Sequence, residues 1–458
     1  PSPNPSPSPS PSPSPSPGAG PVIGSTWEGE SQGGLAPPDP TGAIGSTSYI
    51  ELINLRYGIY DRSGRLLANT GSEGDLGALT GLPVTELSDP QILWDPSSQR
   101  FHYLALDTSR LGFAYGYSLV PNPTSPADFC HYILDYGYGN TLSLPDYPKM
   151  AVTNDFVLIG ANVFLFESVY NGSDVDWVTK GPSSSCPSSL AGGRFAQLRN
   201  TDGSYTSTPV PAVNADPSST GWVVGTADPG TGSGSVLSVF KVTNNGGSPV
   251  LSGPTTIAVA PYSVPAAAPQ AGTTATIDTL DSRLEHAVAG VDPRLGVTAV
   301  WTAHAVFGGA GSEERWYEVR TDGTPSIAQS GVVTSPSQFV WNGAVSPDRA
   351  DNGSGTTANG SNMVLGFSTS STTTDPAIQM VSKRGSAAQS GWVLVHQSPG
   401  PNVDFSCSPT CRWGDYSGAT PDPDPTVGGR VWLSGEWNVA ATDGSSTVWR
   451  TWNWSAAP

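Results

Sequence analysis

Met150-Ala151-Val152-Thr153-Asn154-Asp155, followed at once by Phe156-Val157-Leu158-Ile159-Gly160, is the stretch on which the fold turns. It reads as a short strand, a polar turn carrying an aspartate, and a second, more apolar strand. The same pattern stands at 41–45 before 49–53, 92–96 before 101–106, 212–217 before 222–225 and 287–293 before 297–301. It returns at 343–348 before 363–367, after a long polar insertion, and at 417–423 before 431–435. An aspartate at such a hairpin can hydrogen-bond its own backbone, and a following proline fixes φ. The apolar second strand suits burial between neighbouring sheets. Seven copies at roughly sixty residues each match the size of a propeller blade with four short strands. Two strand-like ends, 22–27 and 448–454, would pair in one blade and remove the exposed edges of the ring. A pair of β-sandwiches would not explain a seven-fold repeat. The expected fold is all-β: a seven-bladed β-propeller over residues 21–458, closed by its N- and C-terminal strands, behind an extended stalk at 1–20.

Composition agrees. The chain of 458 residues holds 54 Gly and 44 Pro, and only 13% of its residues are charged. No window approaches the ~18 unbroken apolar residues that a membrane span needs. Residues 1–17 alternate Pro and Ser, broken once by Asn4. Such a segment buries nothing and extends as polyproline II. Its serines, Ser2, Ser6, Ser8, Ser10, Ser12, Ser14 and Ser16, are open to O-glycosylation. Asn171, Asn352, Asn359 and Asn453 head Asn-x-Ser sequons. The net charge of −18 argues against nucleic acid, whose phosphates demand Lys and Arg. It favours a cation, a neutral glycan or a basic partner, and it also keeps a secreted protein soluble. Cys130, Cys186, Cys407 and Cys411 read as two disulfides of an extracellular protein, with 407–411 and 130–186 suggested by proximity. Two other pairings, and a zinc site, remain open.

Several stretches resemble a family of secreted bacterial β-propeller proteins whose function is largely unassigned. They are Pro37-Pro38-Asp39-Pro40-Thr41-Gly42-Ala43-Ile44-Gly45, Ser88-Asp89-Pro90-Gln91-Ile92-Leu93-Trp94-Asp95, Tyr147-Pro148-Lys149-Met150-Ala151-Val152, Leu280-Asp281-Ser282-Arg283-Leu284, Arg315-Trp316-Tyr317-Glu318-Val319-Arg320 and Arg412-Trp413-Gly414-Asp415-Tyr416-Ser417. The resemblance implies a propeller and secretion and supplies no catalytic residues. The chain departs from it at Glu285-His286-Ala287, where relatives tend to carry a basic or aromatic residue.

Superposing the repeats gathers Asp39, Asp89, Asp146, His286, Asn342 and Asp415 around one mouth of the central channel, with Asp39 and Asp415 adjacent because first and last blades meet. Trp413, between the Cys407–Cys411 loop and Asp415, joins them as a candidate ligand contact. Asp39, Asp89 and Asp415 could hold Ca²⁺, a cation that takes six to eight oxygens. Alternatively each aspartate caps its own strand entrance. The other tryptophans of the last blade, and the five histidines, read as strand packing. No Gly-x-Ser-x-Gly elbow is present, and 442–449 only approximates a sialidase-type turn. The expected function is a non-catalytic extracellular propeller: a cell-surface, adhesive or assembly glycoprotein subunit, partnering itself through the stalk or binding a surface glycan. The alternative is a secreted carbohydrate-active enzyme, glycosidase or lyase, with its site at the propeller mouth.

Overall fold

The computed structural model describes residues 17–31, 34–67, 74–227, 233–349, 360–424, 427, 429–439 and 448–458. Seven antiparallel sheets follow one another in chain order, and each begins at the axis. The innermost strands are Thr41–Ile44, Leu87–Asp95, Ser143–Val152, Thr206–Pro211, His286–Asp292, Phe339–Pro347 and Gly418–Pro421. These define blades 1 to 7. Every hairpin read from the sequence is the inner hairpin of a blade, as in Met150↔Ile159 and Ile44↔Tyr49. The expected burial of the second strand is also seen: all of Ser48–Ile53 is buried. The turn aspartates do what their chemistry suggests. Asp95 accepts from the Ser97 amide at 2.9 Å and Asp292 from the Arg294 amide at 2.7 Å. Blade 5 gains a short fifth strand, Val213–Asn214, which runs parallel to His286–Asp292 and straps it to blade 4.

The core lies between blades rather than within them. Leu93, Leu104 and Tyr115 of blade 2, for example, meet Met150 and Ile159 of blade 3. At Gly160 the next blade comes so close that a Cβ would stand 1.8 Å from the Pro209 carbonyl oxygen, so only glycine serves there. Val22–Ser31 is the outermost strand of blade 7. It lies antiparallel on Val448–Ala457, from Val22↔Ala457 to Ser31↔Arg450, and closes the ring. Trp27 anchors that closure, with ring centroids 5.4 Å from Tyr49 and 5.9 Å from Trp432.

The stalk does not leave the domain at residue 20. The Gly18 amide donates to the Gln389 carbonyl at 3.1 Å, so 17–20 run along blade 6. Ser2, Ser6, Ser8, Ser10, Ser12, Ser14 and Ser16, with Asn352 and Asn359, lie outside the described residues. Asn171 is half-buried in the strand Val169–Thr179. The Asn453 sequon is a correction: the side chain is fully buried and its Nδ2 donates to Glu51 at 2.9 Å, which leaves no room for a glycan on the folded chain.

Two disulfides form, Cys130–Cys186 and Cys407–Cys411. The zinc alternative falls with them. The first links residues 56 apart in sequence. Its removal by Cys130→Ser with Cys186→Ser is expected to cost about 2–4 kcal/mol, read from the urea midpoint. An unchanged midpoint would contradict that. Among the described residues no helix is long and apolar enough to cross a membrane.

Candidate functional site

The inner strands reach the axis through an unusual entrance. In blades 2, 3, 4 and 6 the pairing slips between Ser88 and Gln91, Asp146 and Lys149, Ser207 and Val210, and Trp341 and Ala344. Each slip contains one non-glycine residue in the left-handed region: Asp89 (φ 50°), Tyr147 (55°), Thr208 (45°) and Asn342 (55°). Asp39 (φ 52°) holds the same position ahead of blade 1. Four of the five precede a proline, which cannot donate to the neighbouring strand. Left-handed backbone costs such residues of order 1 kcal/mol apiece. Repeating it around the axis turns the entrance residues over the channel mouth.

Two insertions build the remaining wall. Residues 264–285, ahead of blade 5, and 398–417, ahead of blade 7, meet over blade 6 and pair in parallel through Thr276–Ile277 and Thr410–Cys411. The Gln270 side chain and the Asn402 backbone lock them together at 2.6 and 2.9 Å. Trp413 roots this wall in the propeller: its Nε1 donates to Ser368 Oγ at 3.0 Å, and its ring lies 6.1 Å from that of Trp341.

Between wall and entrances opens a cavity of about 440 Å³. Blades 1, 2 and 3 line it with Asp39, Asp89 and Asp146, and the insertions contribute Asp278, Asp281, Arg283, Arg412 and Asp415. Asn54, from the second turn of blade 1, ties two entrances together. Its Nδ2 donates to Asp39 Oδ2 at 2.7 Å, and its Oδ1 accepts from the Asp89 amide at 2.8 Å. The predicted contact of first and last blades is present, as the Asp415 amide donates to Asp39 Oδ1 at 3.1 Å.

The carboxylates fall into two groups. Arg412 Nη2 donates to both oxygens of Asp415, at 2.6 and 2.7 Å, and Arg283 Nε and Nη2 donate one to each oxygen of Asp281, at 2.7 Å twice. Partial burial pushes Asp281 upward, but the Arg283 charge and hydrogen bonds outweigh it and hold the carboxyl below its ordinary range. Asp39, Asp89 and Asp146 make no ion pair among the described residues. Burial, then the charges of Asp415 and Asp89, raises Asp39 well above the usual value. Burial, then Asp146 and Asp415, pushes Asp89 up to about 7. Asp146 is also raised, by burial and by Asp415, against the pull of Arg283.

Lys149 lies beneath them, 3% exposed, with its Nζ 3.5 Å from the centre of the Tyr147 ring and 3.3 Å from that of Tyr416. The two rings form a cation–π sleeve. Burial nevertheless lowers the ammonium to about 7, and the nearby carboxylates oppose that shift. Lys149→Met is expected to raise the pH at which Asp89 loses its proton, since it removes a charge that favours the carboxylate. Carboxyl NMR titration reads this directly. An unmoved Asp89 would show that the two groups do not interact.

Four of the seven predicted contacts, Asp39, Asp89, Asp146 and Asp415, thus share one cavity. The other three lie outside it. His286 sits one step down the channel, its Nε2 2.6 Å from the Ala419 carbonyl oxygen, and burial lowers its pKa to about 4. Asn342 is 1% exposed, covered by the wall at Gly414. Trp413 is equally buried and serves the wall, not a ligand. His304 bonds Ser282 and Tyr317 as an ordinary strand residue. Among the described residues no group of three or more His, Cys, Asp or Glu side chains could hold a metal ion. Asp39, Asp89 and Asp415, expected to hold Ca²⁺, form no such group, and two of them are already engaged by hydrogen bonds. Asp39 uses its two oxygens on Asn54 and the Asp415 amide, while Asp415 uses both of its own on Arg412. Asn54, Lys149, Asp278, Asp281, Arg283 and Arg412 were not anticipated. All but Asn54 and Asp278 stand inside stretches that the family resemblance singles out.

No protein-family model and no curated protein matches the chain. Its likeness is to solved structures. The parainfluenza virus 5 hemagglutinin-neuraminidase ectodomain is 10% identical, with 82% of this chain and 84% of that one covered and a TM-score of 0.40. The phage phi92 endosialidase is 8% identical over 78% of this chain and 65% of its own, at 0.42. A Penicillium chrysogenum α-L-arabinanase complexed with arabinobiose is 11% identical over 81% and 94%, at 0.39. No residue role is carried across at these identities.

Proposed function

We propose that the chain is a carbohydrate-active hydrolase whose site is the carboxylate-lined cavity at the propeller mouth. One observation carries this reading: carboxyls of a single cavity are held in opposite ionisation regimes. Asp89, pushed up to about 7, keeps a proton near neutral pH, while Asp281 is held below the ordinary range by Arg283. A protonated acid facing an ionised carboxylate is the requirement for cleaving a glycosidic bond, one donating to the leaving oxygen and the other stabilising or activating the attacking side. Burial, with Asp146 and Asp415, keeps the Asp89 proton in place, and Leu35, Pro37 and Leu280 line the same cavity with apolar surface. The second reading, a non-catalytic adhesive or assembly subunit, places a glycan in the same cavity without turnover.

Release of reducing ends from a panel of polysaccharides separates the two. The hydrolase reading expects release by the parent and loss of it in Asp89→Asn and Asp281→Asn chains that retain native circular dichroism. Glycan binding without release from any substrate would overturn it in favour of adhesion.

A further inference from the structure

Two of the entrance residues are held from the neighbouring blade by the same device. Asn162, in the second strand of blade 3, accepts from the Thr208 amide at 2.9 Å through its Oδ1. Asn54, in the turn after the second strand of blade 1, accepts from the Asp89 amide at 2.8 Å in the same way. Each amide belongs to the left-handed residue of the next blade's entrance, at φ 45° for Thr208 and 50° for Asp89. Without the asparagine, that N–H would be buried and unpaired, and the left-handed backbone would lose its hold.

The two asparagines differ in what else they bond. Asn162 Nδ2 donates to Thr208 Oγ1 at 3.0 Å, back onto the residue that it already holds. Asn54 Nδ2 turns instead to the entrance of blade 1, donating to the Pro37 carbonyl at 2.9 Å and to Asp39 Oδ2 at 2.7 Å. One amide, 2% exposed, thus fixes a carboxyl of blade 1 and the backbone beneath a carboxyl of blade 2. Serving all three contacts takes both an NH₂ group and a carbonyl oxygen. The turn that brings Asn54 to the cavity places its neighbour Leu55 at φ 73°, another left-handed residue that is not glycine.

We infer that Asn54 is a positioning residue for the reaction, holding the Asp89 carboxyl in the pose from which it gives up its proton. This rests on the hydrolase reading and deepens it. Asn54 acts through the Asp89 backbone. Once released, the entrance of blade 2 can leave its left-handed conformation and carry the carboxyl toward water. Burial is the largest cause of the raised Asp89 pKa, so the freed carboxyl titrates lower. The charges facing Asp89 are those of Asp39, Asp146, Lys149 and Asp415, with the Tyr416 phenol beside them.

Carboxyl NMR of the full chain, read beside turnover, tests this on three variants. In Asn54→Ala the Asp89 midpoint should fall by at least about one pH unit. On the polysaccharide that the parent cleaves, kcat should fall about 10²-fold, with KM held within about twofold. Asn54→Asp has the same shape, keeps the acceptor for the Asp89 amide and can donate to Asp39 only while protonated. It should match the parent in mild acid and lose turnover at a lower pH, and it serves if the alanine chain does not fold. Asn162→Ala loses the matching contact at blades 3 and 4, where Thr208 is held instead of an acid. It should lower the urea midpoint and leave both the Asp89 titration and kcat unchanged. An unmoved Asp89 midpoint or a parental kcat in Asn54→Ala would overturn the inference and leave the hydrolase reading standing. So would a parental pH profile in Asn54→Asp, or an equal loss of kcat in Asn162→Ala, which would make the contact a support of the ring. A parent that cleaves no polysaccharide removes the reaction, and the inference falls with it whatever the titration shows.

Discussion

Replacing Trp413 by alanine is expected to cost about 3–5 kcal/mol of stability and to abolish ligand binding at the propeller mouth. Its indole is 1% exposed and joins Ala268, Ile277, Ala305 and Trp341, so it belongs to two insertions and two blades at once. Alanine would leave a hole at the one point where the wall is rooted. The wall carries Asp278, Asp281, Arg283, Arg412 and Asp415, so the cavity loses its far side before the ring itself opens. Urea unfolding should show the loss, and limited proteolysis should cut within 264–285 or 398–417 first. Trp413→Phe keeps most of the packing and drops the hydrogen bond to Ser368, at a cost of about 1 kcal/mol. Equal stability of the alanine variant and the parent would mean that the wall stands without this root.

Asp89→Asn is expected to lower turnover by about 10²–10⁴-fold and to make the protein more stable at high pH. The first effect follows, on the proposed function, from removing the proton donor. The second follows from linkage. Asp89 titrates at about 7 in the folded chain against 3.8 for an ordinary aspartate. Between those values the folded state binds more protons than the unfolded one, so this residue makes stability fall as pH rises. Asparagine cannot ionise and removes that slope. The variant's melting temperature should exceed the parent's above neutral pH, with the gap closing as pH is lowered toward 3.8. Turnover of the parent should decline through the same upper window as Asp89 loses its proton. Parallel stability curves for the two proteins would place the raised carboxyl elsewhere.

The legible part of this molecule is local. A hairpin of alternating residues with an aspartate at its turn reports its own geometry, and seven of them imply a ring. Ring order alone then makes Asp39 and Asp415 neighbours. What superposition of repeats could not show is whatever departs from the repeat. Asn342 occupies the same bulge as Asp89, yet the insertion at 398–417 covers it, and an insertion has no counterpart in the other blades. His286 is the first residue of its strand rather than part of its entrance, which is enough to place it below the mouth. Arg283 and Arg412 reach the cavity only because two segments far apart in sequence pair over blade 6. The Asn453 sequon illustrates the same limit from another side: three letters say nothing of burial.

The closing strand has a consequence for the order in which the molecule can come into being. Ser25 finds its partner Ser455 across 430 residues, so the first strand of the domain to leave the ribosome is the last to acquire a strand partner. The four antiparallel strands of each of blades 1 to 6 can form in turn as the chain emerges, each set from contiguous sequence. The seventh cannot, and until 448–457 is synthesised the strand Val22–Ser31 waits without its ladder. Completion is therefore a late, slow, long-range event. A chain cut short at any earlier point remains an open arc, never a smaller ring.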